Sequence, residues 1–208
     1  VIISNGLIVH TQPKRLLPTY DVFDETRYFE PGNQTTLYDS AFGKLGLSVC
    51  EDAWFAEERS GVLAGRQLYQ QDPAASLSGA SLVINVSASP FEMNKRVRRT
   101  QLLSDFIRRI KAPGIYVNQV GANDEILFDG SSLVISADGT VVWGLPSFCE
   151  ALGLVEISLS SKELVKSKSI YNFIPGSSQA WQKQEEKTSS THHPSEISIV
   201  HDGLVTGI

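Results

Sequence analysis

The chain has 208 residues, 41% of them hydrophobic and 20% charged, and a formal net charge of −5, which suits a globular protein with a sizeable core and disfavours nucleic acid or an anionic membrane surface as partner. No run approaches the roughly 18 apolar residues of a membrane helix, and the start VIISNGLIVH lacks the charged and cleavable parts of a signal peptide. The two cysteines, Cys50 and Cys149, lie far apart, so a disulfide framework is disfavoured and a cytoplasmic, reducing setting is expected.

In chain order, the opening predicts a hairpin, because Asn5-Gly6 between two β-rich runs readily takes the positive φ angles of a tight turn. A loop rich in proline and aromatic residues follows from Pro18 to Pro31. The apolar run Leu45 to Val49 then reads as a strand delivering Cys50 to its tip. Helix formers dominate from Arg59 to Gln70, and Asp72-Pro73 supplies the N-cap and first-turn proline of a short helix through Leu77. SLVINVSASP predicts a buried strand ending in a Ser/Pro loop. Val97, Leu102, Leu103, Phe106, Ile107 and Ile110 recur at helical spacing, marking an amphipathic helix that stops before Pro113-Gly114. GIYVNQVG is another buried strand, Asp138-Gly139 turns a second hairpin, and Leu152 to Leu159 forms a last strand. This alternation predicts layered α/β structure. Beyond about Phe173 the chain becomes polar and uneven in charge, as a linker or extended arm would be.

A cysteine at a strand tip is a candidate nucleophile, because the turn after a strand exposes the sulfur and aims the next backbone N–H groups at a reacting carbonyl. Its bland alternative is a buried filler. The surrounding blocks favour chemistry. PKRLLPTYDVFDETRYFEPG (Pro13 to Gly32), GLSVCEDAWF (Gly46 to Phe55), GASLVINVSASPF (Gly79 to Phe91) and YVNQVGANDEILFDGSSLVISADG (Tyr116 to Gly139) resemble, in order and spacing, the nitrilase or carbon–nitrogen hydrolase superfamily. Within it, Cys-Glu-Asp at the nucleophile and the Leu-Pro-Thr-Tyr run are similar to the glutaminase domains of glutamine-dependent NAD synthetases.

The resemblance implies a four-layer αββα sandwich with the nucleophile at Cys50, its lysine partner at Lys14 and an auxiliary glutamate at Glu25. An ammonium beside the thiolate, with the backbone N–H of Glu51, would stabilise the oxyanion that forms when an amide carbonyl is attacked. Substrate contacts are implied at Tyr20, Glu51, Ser89 and Lys95, the last standing where the branch often has arginine, a point charge in place of a bidentate fork. Asp124, Glu125 and Asp129 lie in a loop that walls the family's site, with turn formation an equal reading. The family's general base is a glutamate ahead of the lysine, and no residue here matches it. The chain is therefore expected to start inside its domain, after roughly 80 to 100 further residues, and to be inactive alone.

The expected layout is a hydrolase domain over residues 1–160 and a linker or arm over 161–208 leading to a synthetase domain on the same or another chain. Glutamine is the expected substrate, no cofactor is expected in this domain, ATP is expected only at the synthetase part, and a homo-oligomer is implied. A stand-alone amidase or carbamoylase, and a non-catalytic truncated homologue, are the rival readings. Cys149 has no partner motif, and His192-His193 and His201 lack metal-ligand spacing, so no metal is expected.

Overall fold

The computed structural model describes residues 1–55, 62–63, 66–67, 69, 71–159, 163–172 and 182–183. The chain opens with the expected hairpin: β1 (Ile2–Ser4) pairs antiparallel with β2 (Leu7–His10). Asn5 and Gly6 take φ angles of 51° and 76°, the left-handed pair that a tight two-residue turn requires.

A six-stranded mixed sheet holds the molecule together. It contains β3 (Tyr38–Ser40), β4 (Gly43–Val49), β7 (Leu82–Ser87), β8 (Gly114–Asn118), β11 (Leu133–Ile135) and β12 (Val141–Gly144), in the order β12-β11-β8-β7-β4-β3. Its centre, β4, β7 and β8, is parallel, and the outer strands pair antiparallel. The parallel strands read as near-continuous apolar runs because both faces are meant to be covered. Their carboxyl ends point the same way, so Cys50, the loop after Ser87 and Asn118 gather at one edge.

One face of the sheet is covered by helices. In α1 (Pro73–Ser76), the Asp72 carboxylate caps the first turn by accepting from the Ala74 N–H at 2.9 Å. The long helix α2 (Lys95–Ile110) buries Leu103, Phe106, Ile107 and Ile110 against Val83, Tyr116 and Ile135, with Leu77 of the α1 turn in the same cluster. Each such side chain stabilises the fold by about 1.5–3 kcal/mol on burial. Val97, assigned to the apolar stripe from its spacing, is 70% exposed and lies off it. The helix approaches so closely that a Cβ on Gly114 would stand 2.3 Å from Ile107 Cδ1.

At the described residues of the run from Arg59 to Gln70 the structure departs from the helical expectation. Two short strands, β5 (Val62–Leu63) and β6 (Arg66–Gln67), pair antiparallel instead. Gly61 and Gly65 interrupt that run, each costing a helix about 1 kcal/mol relative to alanine. A further hairpin joins β9 (Val120–Asn123) to β10 (Ile126–Asp129), turning at Asp124 with φ 52°.

On the other side, β13 (Ala151–Ser158) lies so near Trp143 that a Cβ on Gly153 would meet the ring at 1.9 Å. It pairs along its length with β14 (Glu163–Asn172), a strand the sequence reading did not anticipate, and β14 carries β15 (Gln182–Lys183). The arm expected beyond Phe173 lies, apart from β15, outside the described residues. Among the described residues, no helix is long and apolar enough to cross a membrane.

Candidate active site

Cys50 ends β4 and begins a 3₁₀ turn over Cys50–Ala53. Its φ of 44° is rare for a residue with a side chain and is typical of strain stored where function needs it. Burial pushes the thiol above its ordinary value of 9.0, the Lys14 charge works the other way, Glu51 adds to the rise, and the nearby Ser87 hydroxyl and Ala88 backbone act to lower it.

Asp52 ties this turn to the loop after β2. It is 2% exposed; Oδ1 accepts from the N–H groups of Arg15 and Leu16, both at 2.9 Å, and Oδ2 from Val49 N–H at 3.0 Å. One carboxylate thereby links the tip of β4 to the residue after Lys14. Burial raises its pKa, and these three backbone donors oppose that rise.

Lys14 is not a solvated surface lysine. Its Nζ donates to both Glu25 oxygens at 2.6 Å, with side-chain exposures of 16% and 25%. The segment closes on itself, since Gly32 N–H donates to Lys14 O at 2.7 Å and Glu25 N–H to Pro18 O at 3.1 Å. Both carboxylate oxygens of Glu25 are thus taken by the lysine, which they orient.

Glu51 is 4% exposed, and its Oε1 accepts from Tyr20 Oη at 2.7 Å and Tyr69 Oη at 3.1 Å. Burial, then the Glu51 charge, raises the Tyr69 phenol well above its usual range, so it stays a donor. Lys95 opens α2 with Nζ 5.7 Å from the Trp54 ring centroid, and Arg98 lies over the same ring at 5.8 Å. Burial lowers the Lys95 pKa, against which Glu92 and Cys50 act. Ser89 is 2% exposed, and its N–H donates to Asn118 Oδ1 at 2.9 Å while Asn118 Nδ2 donates to Gly130 O at 2.9 Å.

The structure therefore gathers Lys14 and Glu25, Glu51 and Tyr20, and Ser89 and Lys95 around the parallel edge that carries Cys50. It also shows supporting residues that sequence reasoning missed: Asp52, Tyr69, Asn85, Ser87, Asn118 and Arg99. A signal existed for some, because Asn85 and Asn118 are amides interrupting apolar strand runs. Asp129, set in a loop by sequence, is 2% exposed and forms a bidentate pair with Arg99 at 2.9 and 2.6 Å, while Arg99 stacks over Tyr116 at 5.7 Å. Asp124 and Glu125 are exposed at the β9–β10 turn, the turn-forming role that was one of their two readings. Cys149 is partly exposed, and its Sγ reaches Glu150 O at 3.4 Å.

Among the described residues no three His, Cys, Asp or Glu side chains stand close enough together to hold a metal ion; His192, His193 and His201 lie outside those residues. A thiol at a strained strand tip, an ammonium beside it and a following backbone N–H suit nucleophilic attack on a carbonyl carbon.

Comparison with known proteins shows the family to which these features belong. The family model described as carbon-nitrogen hydrolase matches residues 1–167. The glutamine-dependent NAD(+) synthetase of Synechocystis is 41% identical over 170 residues, covering 81% of this chain and 30% of that protein. Its counterpart from Thermotoga maritima is 35% identical over 161 residues, covering 76% of this chain and 26% of that protein. The chain thus spans about a third or less of the length of these curated relatives. Among solved structures, the glutamine-dependent NAD+ synthetase of Acinetobacter baumannii in complex with ADP aligns with a TM-score of 0.66 at 26% identity, over 98% of this chain and 32% of that one. A carbon-nitrogen hydrolase from Helicobacter pylori aligns with a TM-score of 0.52 at 27% identity, over 68% of this chain and 49% of that one. The mixed sheet with its helical face is the nitrilase-like fold that the sequence blocks implied.

Proposed function

The chain belongs to the carbon-nitrogen hydrolase family, and from that premise we propose that it is the glutamine-hydrolysing part of a glutamine-dependent NAD synthetase. The observation that carries the reading is the grouping of Cys50 and Glu51, at the end of parallel strand β4, with Lys14 of the loop after β2, in a chain whose curated relatives bear that name.

In the proposed reaction the Cys50 thiolate attacks the side-chain amide carbon of glutamine. The Lys14 ammonium and the Glu51 backbone N–H receive the developing oxyanion, a preorganised arrangement of the kind that commonly supplies several kcal/mol of transition-state stabilisation. Collapse of the tetrahedral species expels ammonia and leaves a γ-glutamyl thioester on Cys50, which water hydrolyses to glutamate. The thiol proton passes to the family's glutamate base, which no residue of this chain matches, and from it to the leaving nitrogen. Glutamine also carries an ammonium and a carboxylate. The Glu51 carboxylate, fixed by Tyr20 and Tyr69, supplies the anion, Lys95 the cation, and Ser89 a polar contact at the strand edge. Such charge pairing selects glutamine over plain aliphatic amides. Ammonia then serves a synthetase part that uses ATP; a cytoplasmic setting and a homo-oligomeric assembly belong to the same proposal.

The test is Cys50→Ala in the full-length protein. Glutamine-driven NAD formation is expected to be lost while synthesis from free ammonia persists. Glutamine-driven NAD formation that survives the substitution, or hydrolysis of simple aliphatic amides with no response to glutamine, would overturn the reading.

A further inference from the structure

Strand β7 ends beside the nucleophile. Val86 pairs with Val49 in the parallel register, which sets Ser87 next to Cys50 at the sheet edge. Ser87 is 7% exposed, and its hydroxyl donates to Asn85 Oδ1 at 2.7 Å. Asn85 Nδ2 in turn donates to Ser48 Oγ at 2.8 Å and reaches Cys50 O at 3.5 Å. A buried amide, fixed to two strands, therefore orients a hydroxyl at the base of the nucleophile. Tyr116 Oη, buried and without a well-formed hydrogen bond, lies against the same Ser87 hydroxyl.

A serine hydroxyl has one proton and two lone pairs. Beside a neutral thiol its proton is best spent on Asn85, and its oxygen accepts from the S–H. Beside a thiolate the balance changes, because a hydrogen bond to an ion is roughly twice as strong as one between neutral groups. We infer that Ser87 is a contact residue of the nucleophile, its hydroxyl turning from Asn85 to donate to the Cys50 sulfur once the thiol has lost its proton. Ser87 keeps its own proton throughout. The inference rests on the reading of Cys50 as nucleophile but not on the identity of the amide.

The charged and titratable groups that act on Cys50 come from several elements: Lys14 from the loop after β2, Glu51 from the 3₁₀ turn, Lys95 and Arg99 from α2, and Tyr116 from β8. Replacing Ser87 changes none of these charges, so the hydroxyl is isolated by its removal.

The experiment follows alkylation of Cys50 by iodoacetamide against pH in the full-length protein, with peptide mass spectrometry scoring Cys149 separately. The thiolate displaces iodide, and the thiol proton goes to the buffer. Ser87→Ala should move the midpoint upward by about one pH unit, which is about tenfold slower alkylation at a fixed pH below both midpoints. Ser48→Ala removes a buried hydrogen bond to the same Asn85 without touching the sulfur, and should keep the original midpoint. An unmoved midpoint in Ser87→Ala, or an equal movement in Ser48→Ala, overturns the inference. Glutamine turnover does not enter this readout, so failure of the glutaminase proposal is seen separately.

Discussion

Replacing Asp52 by asparagine tests how the loop that carries Lys14 is held. In the native site Oδ1 serves two backbone donors and Oδ2 a third. An asparagine keeps an oxygen for Arg15 and Leu16 but turns its NH2 toward the Val49 N–H, donor against donor. The third bond is lost with a partly buried N–H left unpaired, about 1–3 kcal/mol, and the other two fall from charge-assisted to neutral, about 1 kcal/mol each. Part of this is returned, because burial already penalises the ionised Asp52 carboxylate. A net loss of about 2–3 kcal/mol is expected by urea denaturation. The loop carrying Lys14 also loses its tether to the nucleophile strand, and a displacement of about 1 Å at such a site costs about a hundredfold in rate. The turnover number for glutamine should fall at least about tenfold while ammonia-driven synthesis is unchanged. Stability within about 0.5 kcal/mol of the parent, the range of ordinary surface changes, or an unchanged turnover number, would refute this role for Asp52.

Asp129→Asn leaves the buried Arg99 without its carboxylate and should cost about 3–5 kcal/mol in the same denaturation assay. Asp105→Asn, which breaks the half-exposed pair with Arg108, should cost less than about 0.5 kcal/mol; equal losses would contradict the assignment of Arg99–Asp129 as a buried structural pair. The Cys50 thiol, raised above 9.0 by burial, keeps its proton in the folded state where the unfolded chain has lost it. Folding stability must therefore fall as pH rises past 9.0 toward the higher folded value. Cys50→Ala should lack this part of the slope, and identical slopes in denaturation series across alkaline pH would count against a buried neutral thiol.

Where local signals carried the whole decision, the sequence was sufficient. Asn5-Gly6 turned the first hairpin, Asp72-Pro73 started α1, and the spacing of Leu103, Phe106 and Ile110 gave α2. The nucleophile strand and the lysine loop were legible as blocks resembling a known family. Between Arg59 and Gln70, helix propensity pointed one way and the pairing of β5 with β6 prevailed, as tertiary context overrides a weak local preference. The bonds from Arg15 and Leu16 to Asp52 and the Arg99–Asp129 pair were illegible because their partners lie more than 29 residues apart in sequence and join a loop or a helix to another element only in the folded chain. Glu51 shows the same limit: its place in the motif was clear, but its capture by two tyrosine hydroxyls was not.

The common direction of β4, β7 and β8 divides labour between frame and periphery. Their hydrogen-bonded ladders fix the spacing of three loop origins, so a change in the length or residues of one loop is absorbed in solvent without resetting the other two. Such a scaffold can be retuned by editing its rim, while the strand that carries Cys50 stays as built.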